Sequence, residues 1–142
     1  MHKIFGTKEN KKYLDREGAY LIPYRENKIA VVLTPKGYFL LGGGLENGES
    51  HLECIKRECL EESGCSCIIE SKLCSAETYC KHETIGYFHP IQTYYIGELG
   101  EMETKPTEKD HALCWVEYNK LKGKMFSKMQ NWALEQLSNY IK

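Results

Sequence analysis

Three glutamates at helical spacing are the side chains of this sequence best suited to chemistry. Glu58, Glu61 and Glu62 stand at i, i+3 and i+4, so a helix would place them side by side. Like charges at this spacing destabilise a helix by roughly 0.2–0.5 kcal/mol per pair, and the negative end of the helix dipole opposes them further. A helix that holds Mg²⁺ needs such a cluster, because this ion prefers carboxylate oxygens and neutralises their repulsion. The spacing therefore predicts a divalent metal site.

The flanking residues predict where this helix begins and ends. Ser50, followed three residues later by Glu53, is a capping box at the start, and Ser63-Gly64 predicts the end, with glycine at the C′ position. The apolar stripe of the helix is expected to consist of Leu52, Ile55 and Cys59. The preceding glycines at 42–44 allow positive φ and close backbone approach, which suits a loop that offers a carbonyl to a cation or amides to a phosphate.

Taken together, this segment resembles the signature of the Nudix hydrolases. The residues that match the signature at its fixed spacing are Gly43, Glu49, Arg57, Glu58, Glu61, Glu62 and Gly64. Seven identities at fixed spacing are far more specific than a lone glycine motif. Two apolar positions of the signature hold Cys59 and Cys65, and cysteine behaves as a small hydrophobe when buried. Leu41 stands where family members usually carry a proline, so the rigid start of the loop is missing.

The resemblance implies a metal-dependent hydrolysis. Nudix enzymes cleave a nucleoside diphosphate linked to another group, with Mg²⁺ as the expected cofactor and Mn²⁺ as a substitute. The metal ligands carried over from the family are Glu58, Glu61, Glu62 and the backbone carbonyl of Gly42. Arg57 and Glu49 are expected to form a guanidinium–carboxylate pair that braces the loop against the helix, although such a pair is also a common surface ion pair.

A further carboxylate usually comes from a distant loop of these enzymes, as a metal ligand or as the general base. Glu108, seven residues before Trp115, is the candidate in this chain. Asp110 and His111 are its rivals, and Glu108 is equally consistent with a solvated loop charge. His82 and His89 are expected to face solvent or to satisfy local hydrogen bonds.

The length of 142 residues indicates one domain that is long enough to bury a core. Residues 1–142 are expected to form a single Nudix domain, with a polar peripheral segment at 1–16 and a C-terminal helix at 126–141. The stripe of that helix would be Phe126, Met129, Ala133, Leu137 and Tyr140. A net charge of −1 without a basic patch argues against nucleic-acid binding. Neither a signal peptide nor a membrane-length apolar run is present, so a cytoplasmic location is expected.

Strand-like segments alternate with few helices, which is typical of an α+β or α/β fold. The expected strands are 17–24, 28–34, 38–41, 66–80, 86–98 and 111–117. Pro90 suggests an edge or a bulge, and 99–110 reads as a loop. The Nudix resemblance sharpens the expectation to an α/β/α sandwich around a mixed sheet. Most of the tyrosines on the later strands are expected to be half-buried sheet residues.

Several functions remain open at this point. A nucleoside triphosphate, including an oxidised one, is the default small-molecule substrate, and a dinucleoside polyphosphate is the alternative. A non-catalytic nucleotide-binding sensor on the same fold is a rival, although it has no need for all three glutamates. A thiol-based metal or redox protein is a second rival, but the seven cysteines show no CxxC spacing and suit reduced core positions. A homodimer is compatible with the sequence.

Overall fold

A mixed sheet of nine strands forms the centre of the structure, a computed structural model that describes residues 1–140. The strands are β1 (His2–Phe5), β2 (Leu14–Arg25), β3 (Lys28–Thr34), β4 (Gly37–Phe39), β5 (Leu41–Gly44), β6 (Cys65–Thr78), β7 (Cys80–His82), β8 (Gly86–Met102) and β9 (Ala112–Glu117). The helices are α1 (His51–Ser63), α2 (Tyr118–Leu121) and α3 (Lys128–Tyr140). The strand order is β1-β6-β8-β2-β3-β4, while β5 pairs with β2, β7 with β8 and β9 with β3.

The long strand β2 organises this sheet. It runs parallel to β8 and antiparallel to β3 and β5. Glu26 and Asn27, both at positive φ, form the two-residue turn into β3, and Tyr24 pairs with Ile29 across it. The predicted strand pair at 17–24 and 28–34 is therefore confirmed, although β2 begins at Leu14.

Helices cover the two faces of the sheet. On one face α1 buries Cys54, Ile55 and Cys59 against Ala19 and Leu21. The other face packs against α3, and its cluster includes Ile22, Tyr94, Leu134 and Leu137. This arrangement confirms the predicted α/β/α sandwich around a mixed sheet.

Two predicted apolar stripes are only partly correct. Leu52 is 45% exposed, and Cys54 takes its place in the buried face of α1. Phe126 and Tyr140 are also exposed, and α3 begins only at Lys128. Residue 141 of the predicted C-terminal helix lies outside the described residues. No helix within residues 1–140 is long and apolar enough to cross a membrane.

Pro90 lies inside the sheet, so of the two predicted alternatives, an edge or a bulge, the edge position is wrong. β8 lies between β6 and β2, and it extends to Met102, into the segment expected to be a loop. The pairing of β6 with β8 ends at Ile91, and that of β7 begins at Phe88. Pro90 therefore occupies the break between two neighbouring strands, where its missing N–H costs no hydrogen bond on that side.

The N-terminal segment contributes to the edge of the sheet. β1 pairs in parallel with β6, from His2 opposite Ser75 to Phe5 opposite Thr78. The amide of Tyr79 donates to the carbonyl of Phe5 at 3.1 Å and continues this contact. Residues 1–16, expected to be peripheral, are thus mostly exposed but attached to the sheet.

Candidate active site

The helix that carries the glutamates has the ends that its sequence predicts. Ser50 caps α1, and its side chain and that of Glu53 form the reciprocal capping box. Gly64 follows the last turn in the left-handed region, with φ 75°, and its amide donates to the carbonyl of Leu60. Local sequence therefore fixes both ends of α1 and, with them, the positions of the glutamates on it.

The glycines before the helix form a strand rather than the predicted loop. β5 pairs with β2, with Gly42 opposite Tyr20 and Gly43 opposite Ala19. The edge of β2 offers backbone hydrogen bonds to this segment, which local turn propensity does not reveal. A Cβ at Gly43 would collide with the Glu58 carboxylate, and one at Gly42 would collide with the backbone of β2. These two glycines let α1 and its carboxylates approach the sheet backbone.

Each of the three glutamates has a different environment. Glu62 is buried, and its Oε1 accepts the Gly42 N–H at 2.9 Å. The carboxylate of Glu58 lies against Gly43, with its side chain 15% exposed. Glu61 is more open, and its Oε2 accepts from Arg57 Nη1 at 3.2 Å. In the structure Gly42 thus contacts Glu62 through its amide N–H, whereas the predicted role of Gly42 was that of a metal ligand through its carbonyl.

The environment of the glutamates disfavours their ionised forms, as the raised pKa values of Glu58 and Glu62 show. The pKa of Glu58 is raised to about 7, chiefly by burial and further by the adjacent carboxylates of Glu61 and Glu108, against the opposing effect of Arg57. Burial also raises the pKa of Glu62 to about 9, with smaller contributions from the charges of Glu58 and Glu108 and opposition from the Gly42 N–H. A cation placed among these carboxylates would relieve both the desolvation and the repulsion.

Arg57 joins the loop to the helix as predicted. Its guanidinium makes a bidentate contact with Glu49, with Nε–Oε2 at 2.5 Å and Nη2–Oε1 at 3.0 Å. The same side chain contacts Glu46 at 3.3 Å and donates to the carbonyl of Gly44 at 3.3 Å. The hydrogen bond from Arg57 lowers the pKa of Glu49 to about 2. The pair therefore fixes the segment between β5 and α1 relative to the helix.

The loop that carries Glu108 is hydrogen-bonded to the end of α1. The amides of Thr107 and Glu108 donate to the carbonyl of Glu61 at 2.9 and 3.2 Å. Those of Glu103 and Thr104 donate to the carbonyl of Gly64 at 2.7 and 3.1 Å. These bonds satisfy carbonyls that the helix itself leaves without partners. They bring Glu108 close enough for its charge to raise the pKa values of two cluster glutamates.

Of the two rivals of Glu108, His111 also reaches the cluster. Its Nδ1 lies 3.5 Å from Glu62 Oε2 and has no hydrogen-bond partner within residues 1–140, although it is buried from solvent. Asp110, the other rival, is exposed. The structure therefore brings together the predicted carboxylates Glu58, Glu61, Glu62 and Glu108, with His111 beside them.

A cavity of about 370 Å³ opens next to the carboxylates. Its lining residues are Tyr20, Thr34, Pro35, Lys36, Phe39, Leu40, Gly42, Glu62 and His111. Tyr20 was not predicted from the sequence, yet it is buried, and burial followed by the charges of Glu62 and Glu58 raises its pKa. Strand periodicity could have placed Tyr20 on one face of β2, but no local signal identifies β5 as the neighbouring strand.

The donor set fits a hard divalent cation. Carboxylate oxygens are the ligands that Mg²⁺ prefers, and Glu58, Glu61, Glu62 and Glu108 supply them from two segments. Among residues 1–140, however, no three His, Cys, Asp or Glu side chains already enclose a common point. In the structure Glu61 accepts a hydrogen bond from Arg57, and Glu62 accepts one from the amide of Gly42. Rotation of these side chains is therefore needed for them to converge on one ion.

The fold is similar to several solved structures. A MutT NUDIX hydrolase from Burkholderia pseudomallei has a TM-score of 0.73 and 22% identity, over 87% of this chain and 98% of that one. A NUDIX hydrolase from Nitrosomonas europaea has a TM-score of 0.70 and 17% identity, over 89% of this chain and 90% of that one. An ADP compounds hydrolase has a TM-score of 0.68 and 15% identity, over 92% of this chain and 75% of that one. At these identities the likeness establishes the fold alone.

Comparison with the curated proteins gives no match. A family model, that of the NUDIX domain, matches residues 15–138. This range includes β2 from its second residue, β5, the whole of α1 and the loop that carries Glu108. The chain belongs to the NUDIX domain family.

Proposed function

We propose that this Nudix hydrolase uses a divalent cation, Mg²⁺ or its substitute Mn²⁺, to cleave the pyrophosphate linkage of a nucleoside triphosphate, including an oxidised one. The observation that carries the proposal is the contact between a cluster of carboxylates and a nucleoside-sized cavity. Glu62 belongs to both, since it lines the cavity and lies within the cluster. Nudix hydrolases generally use divalent metal ions, and the acidic donor set supports Mg²⁺.

The bound cation would neutralise charge on the phosphoryl oxygens and acidify the attacking water. The side chains of the protein would bind the cation and position the helix that carries the ligands. Glu58, Glu61 and Glu62 would supply ligands, and the Gly42 carbonyl remains a fourth candidate. Arg57 and Glu49 position the helix against the segment before it through their bidentate contact.

Glu108 is proposed as the further ligand or general base. It comes from a separate segment and lies near Glu58 and Glu62, which supports a role on the open side of the cluster. His111 is the alternative, because its Nδ1 is buried, lacks a partner within residues 1–140 and faces Glu62. Comparing the pH–rate profiles of Glu108→Gln and His111→Gln would separate the two, since loss of the base removes one limb of the profile.

The nucleoside is proposed to bind in the cavity beside Glu62. Tyr20, Phe39 and Leu40 give the cavity an apolar wall, while Lys36 and His111 add polar groups at its edge. A volume of about 370 Å³ lies at the lower end of the range for small-ligand sites, which suits one base and its sugar. Phosphates that extend from such a nucleoside would lie next to the carboxylate cluster.

A dinucleoside polyphosphate is the second candidate substrate. A second cavity of about 220 Å³ shares Tyr20 with the first and is lined also by Arg16, Phe88 and Gln92. Two cavities on either side of one tyrosine would accommodate two nucleosides joined by a phosphate chain. The third candidate, a non-catalytic sensor, finds less support because every carboxylate of the motif is present.

The test is a substrate panel with two matched variants. Release of phosphate or pyrophosphate is measured with Mg²⁺ for nucleoside triphosphates, oxidised guanine nucleotides, dinucleoside polyphosphates, ADP-ribose and nucleotide sugars. Glu61→Gln should lower turnover by about two or more orders of magnitude while the fold is retained. Glu101→Gln, an exposed change of the same kind, should leave turnover unaltered.

Full activity of Glu61→Gln with Mg²⁺ present would count against the metal site. Nucleotide binding without turnover of any substrate would favour the sensor instead. Preference for dinucleoside polyphosphates over triphosphates would indicate that the cavity lined by Arg16, Phe88 and Gln92 binds the second nucleoside.

A small-molecule nucleotide is the proposed partner, and a cytoplasmic location is proposed with it. The seven cysteines are all free thiols in the structure, which suits a reducing compartment.

A further inference from the structure

A further polar cavity, distinct from the two cavities described above, lies away from the carboxylate cluster. It measures about 300 Å³ and is lined by Lys8, Lys11, Lys12, Tyr13, Asp15, Tyr79 and His89. Asp15 is four residues, about 13 Å, along β2 from Ala19, the residue opposite Gly43. The cavity is therefore separate from the site that the Nudix motif forms.

The floor of this cavity is a fixed polar network. His89 is buried, with Nδ1 2.8 Å from Asp15 and Nε2 2.8 Å from Glu77. Glu77 also contacts His2 Nε2 at 2.6 Å. Both carboxylates near the cavity thus already have histidine partners. They leave the three lysines without a carboxylate within ion-pair distance in residues 1–140.

Tyrosines form the walls and support the lysines. Tyr79 stacks on His89 at 4.2 Å, and Tyr13 makes edge contacts with Tyr79 and Tyr87 at 5.2 and 5.4 Å. Lys8 Nζ lies 6.0 Å from the centre of the Tyr79 ring, and Lys11 Nζ lies 5.9 Å from that of Tyr87.

The loop that carries the lysines is anchored to these rings. The amide of Glu9 donates to Tyr13 Oη at 2.9 Å. Gly6, at φ 74°, passes so close to the carbonyl of Tyr79 that a Cβ would collide with it. The lysines therefore start from defined positions around the cavity, which lowers the entropy cost of converging on one ligand.

We propose that this cavity is a metal-independent binding site for a nucleoside polyphosphate, distinct from the hydrolytic site. The lysines bind the phosphates, and the tyrosines pack against the base. Lysine is a common phosphate ligand, and aromatic rings that stack on bases are the usual companions of such lysines in nucleotide recognition. This site does not depend on the proposed hydrolysis, because it shares no residue with the carboxylate cluster.

The experiment measures ATP binding by calorimetry in EDTA, so that binding through a metal is removed. The variant K8A/K11A/K12A should weaken binding about eightfold or more, roughly a factor of two for each exposed charge contact. K28A/K72A/K120A, which removes the same charge elsewhere on the surface, should change affinity less than about twofold. The wild type should also lose affinity with added salt more steeply than the first variant. Equal affinities of the two triple variants, or no binding in EDTA, would overturn the proposal.

Further ligands and variants test the two halves of the site. Adenosine should bind far more weakly than ATP, and inorganic triphosphate should also bind more weakly. Equal binding of adenosine and ATP would overturn the role of the lysines, and equal binding of triphosphate and ATP would overturn that of the tyrosines. Tyr79→Phe should retain affinity, whereas Tyr79→Leu should lower it about fivefold or more. An unchanged affinity for Tyr79→Leu would likewise refute the base contact.

Discussion

Replacing Glu62 by glutamine removes a carboxyl group whose charge the fold disfavours. The side chain is buried, and its pKa rises from 4.5 to about 9 on folding. At pH 7 the unfolded chain carries Glu62 ionised, whereas the metal-free folded protein holds it protonated. Glutamine keeps the carbonyl oxygen that accepts the Gly42 N–H but cannot ionise in either state. The difference in stability between the wild type and Glu62→Gln therefore reports the free energy that the wild type gains when Glu62 ionises in the unfolded chain.

The difference in the free energy of unfolding between Glu62→Gln and the wild type depends on pH. A group whose pKa is raised on folding contributes stability that is fully present below its unfolded value and is lost as pH rises through the folded value. Neutral pH lies about 2.5 units above the unfolded value, so ionisation favours the unfolded wild type by about 3 kcal/mol at pH 7. At pH 5 the corresponding figure is below about 1 kcal/mol. This result holds for any folded pKa well above 7, because Glu62 then stays protonated at pH 7.

Urea unfolding of the metal-free protein, followed by tryptophan fluorescence, measures this difference. In EDTA, Glu62→Gln should exceed the wild type in stability by about 3 kcal/mol at pH 7 and by less than about 1 kcal/mol at pH 5. Glu101→Gln, at an exposed position, should show no such trend. Mg²⁺ at about 100 times its Kd should stabilise the wild type by roughly 3 kcal/mol and the variant by less. Equal or lower stability of Glu62→Gln at pH 7 in EDTA would refute the account of a desolvated, repelled carboxylate.

Three further predictions concern the surroundings of the site. Gly64→Ala should lower the free energy of unfolding by about 1–3 kcal/mol in urea, because φ is 75° and a Cβ would collide with the carbonyl of Thr104; no loss would contradict this. Arg57→Lys loses the bidentate contact, so carboxyl NMR should show the pKa of Glu49 rising from about 2 towards its usual range, and an unchanged value would disprove the pairing. Leu134→Ala, at a fully buried position of α3, should cost about 2–5 kcal/mol in the same urea assay, and a cost below about 1 kcal/mol would argue against the core described above.

The parts of the site that local sequence encodes were predictable. The capping box at Ser50 and the glycine at position 64 fix α1, and the spacing of the glutamates follows from helix geometry. The pairing of Arg57 with Glu49 was predicted from the family resemblance, and the structure shows it. Glu108 was a candidate on the same basis, and the structure places it beside the cluster, where its role remains a prediction.

The parts that depend on long-range pairing were not predictable. Gly42–Gly44 have the composition of a loop, but the free edge of β2 makes them a strand. The position of Tyr20 beside the carboxylates follows from that pairing alone. His82 accepts local amides as expected, whereas His89 bonds to Asp15, 74 residues away. Its partner lies on another strand, so the expectation of a solvent-facing or locally bonded His89 is wrong.

The attachment of the Glu108 loop has a consequence for how this enzyme can change. Four of the loop's bonds, two to Glu61 and two to Gly64 just after α1, come from backbone amides, so any residue other than proline can make them. Pro106 lies between the bonded pairs, at a position whose amide none of these bonds uses. The side chains at 103–105 can therefore vary while the loop keeps its position on the helix, whereas Thr107 adds a bond from its Oγ1 to the carbonyl of Glu61 at 3.4 Å. Exchanging the side chains at 103–105 offers a way to alter the chemistry presented to a substrate without disturbing the scaffold that holds the glutamates.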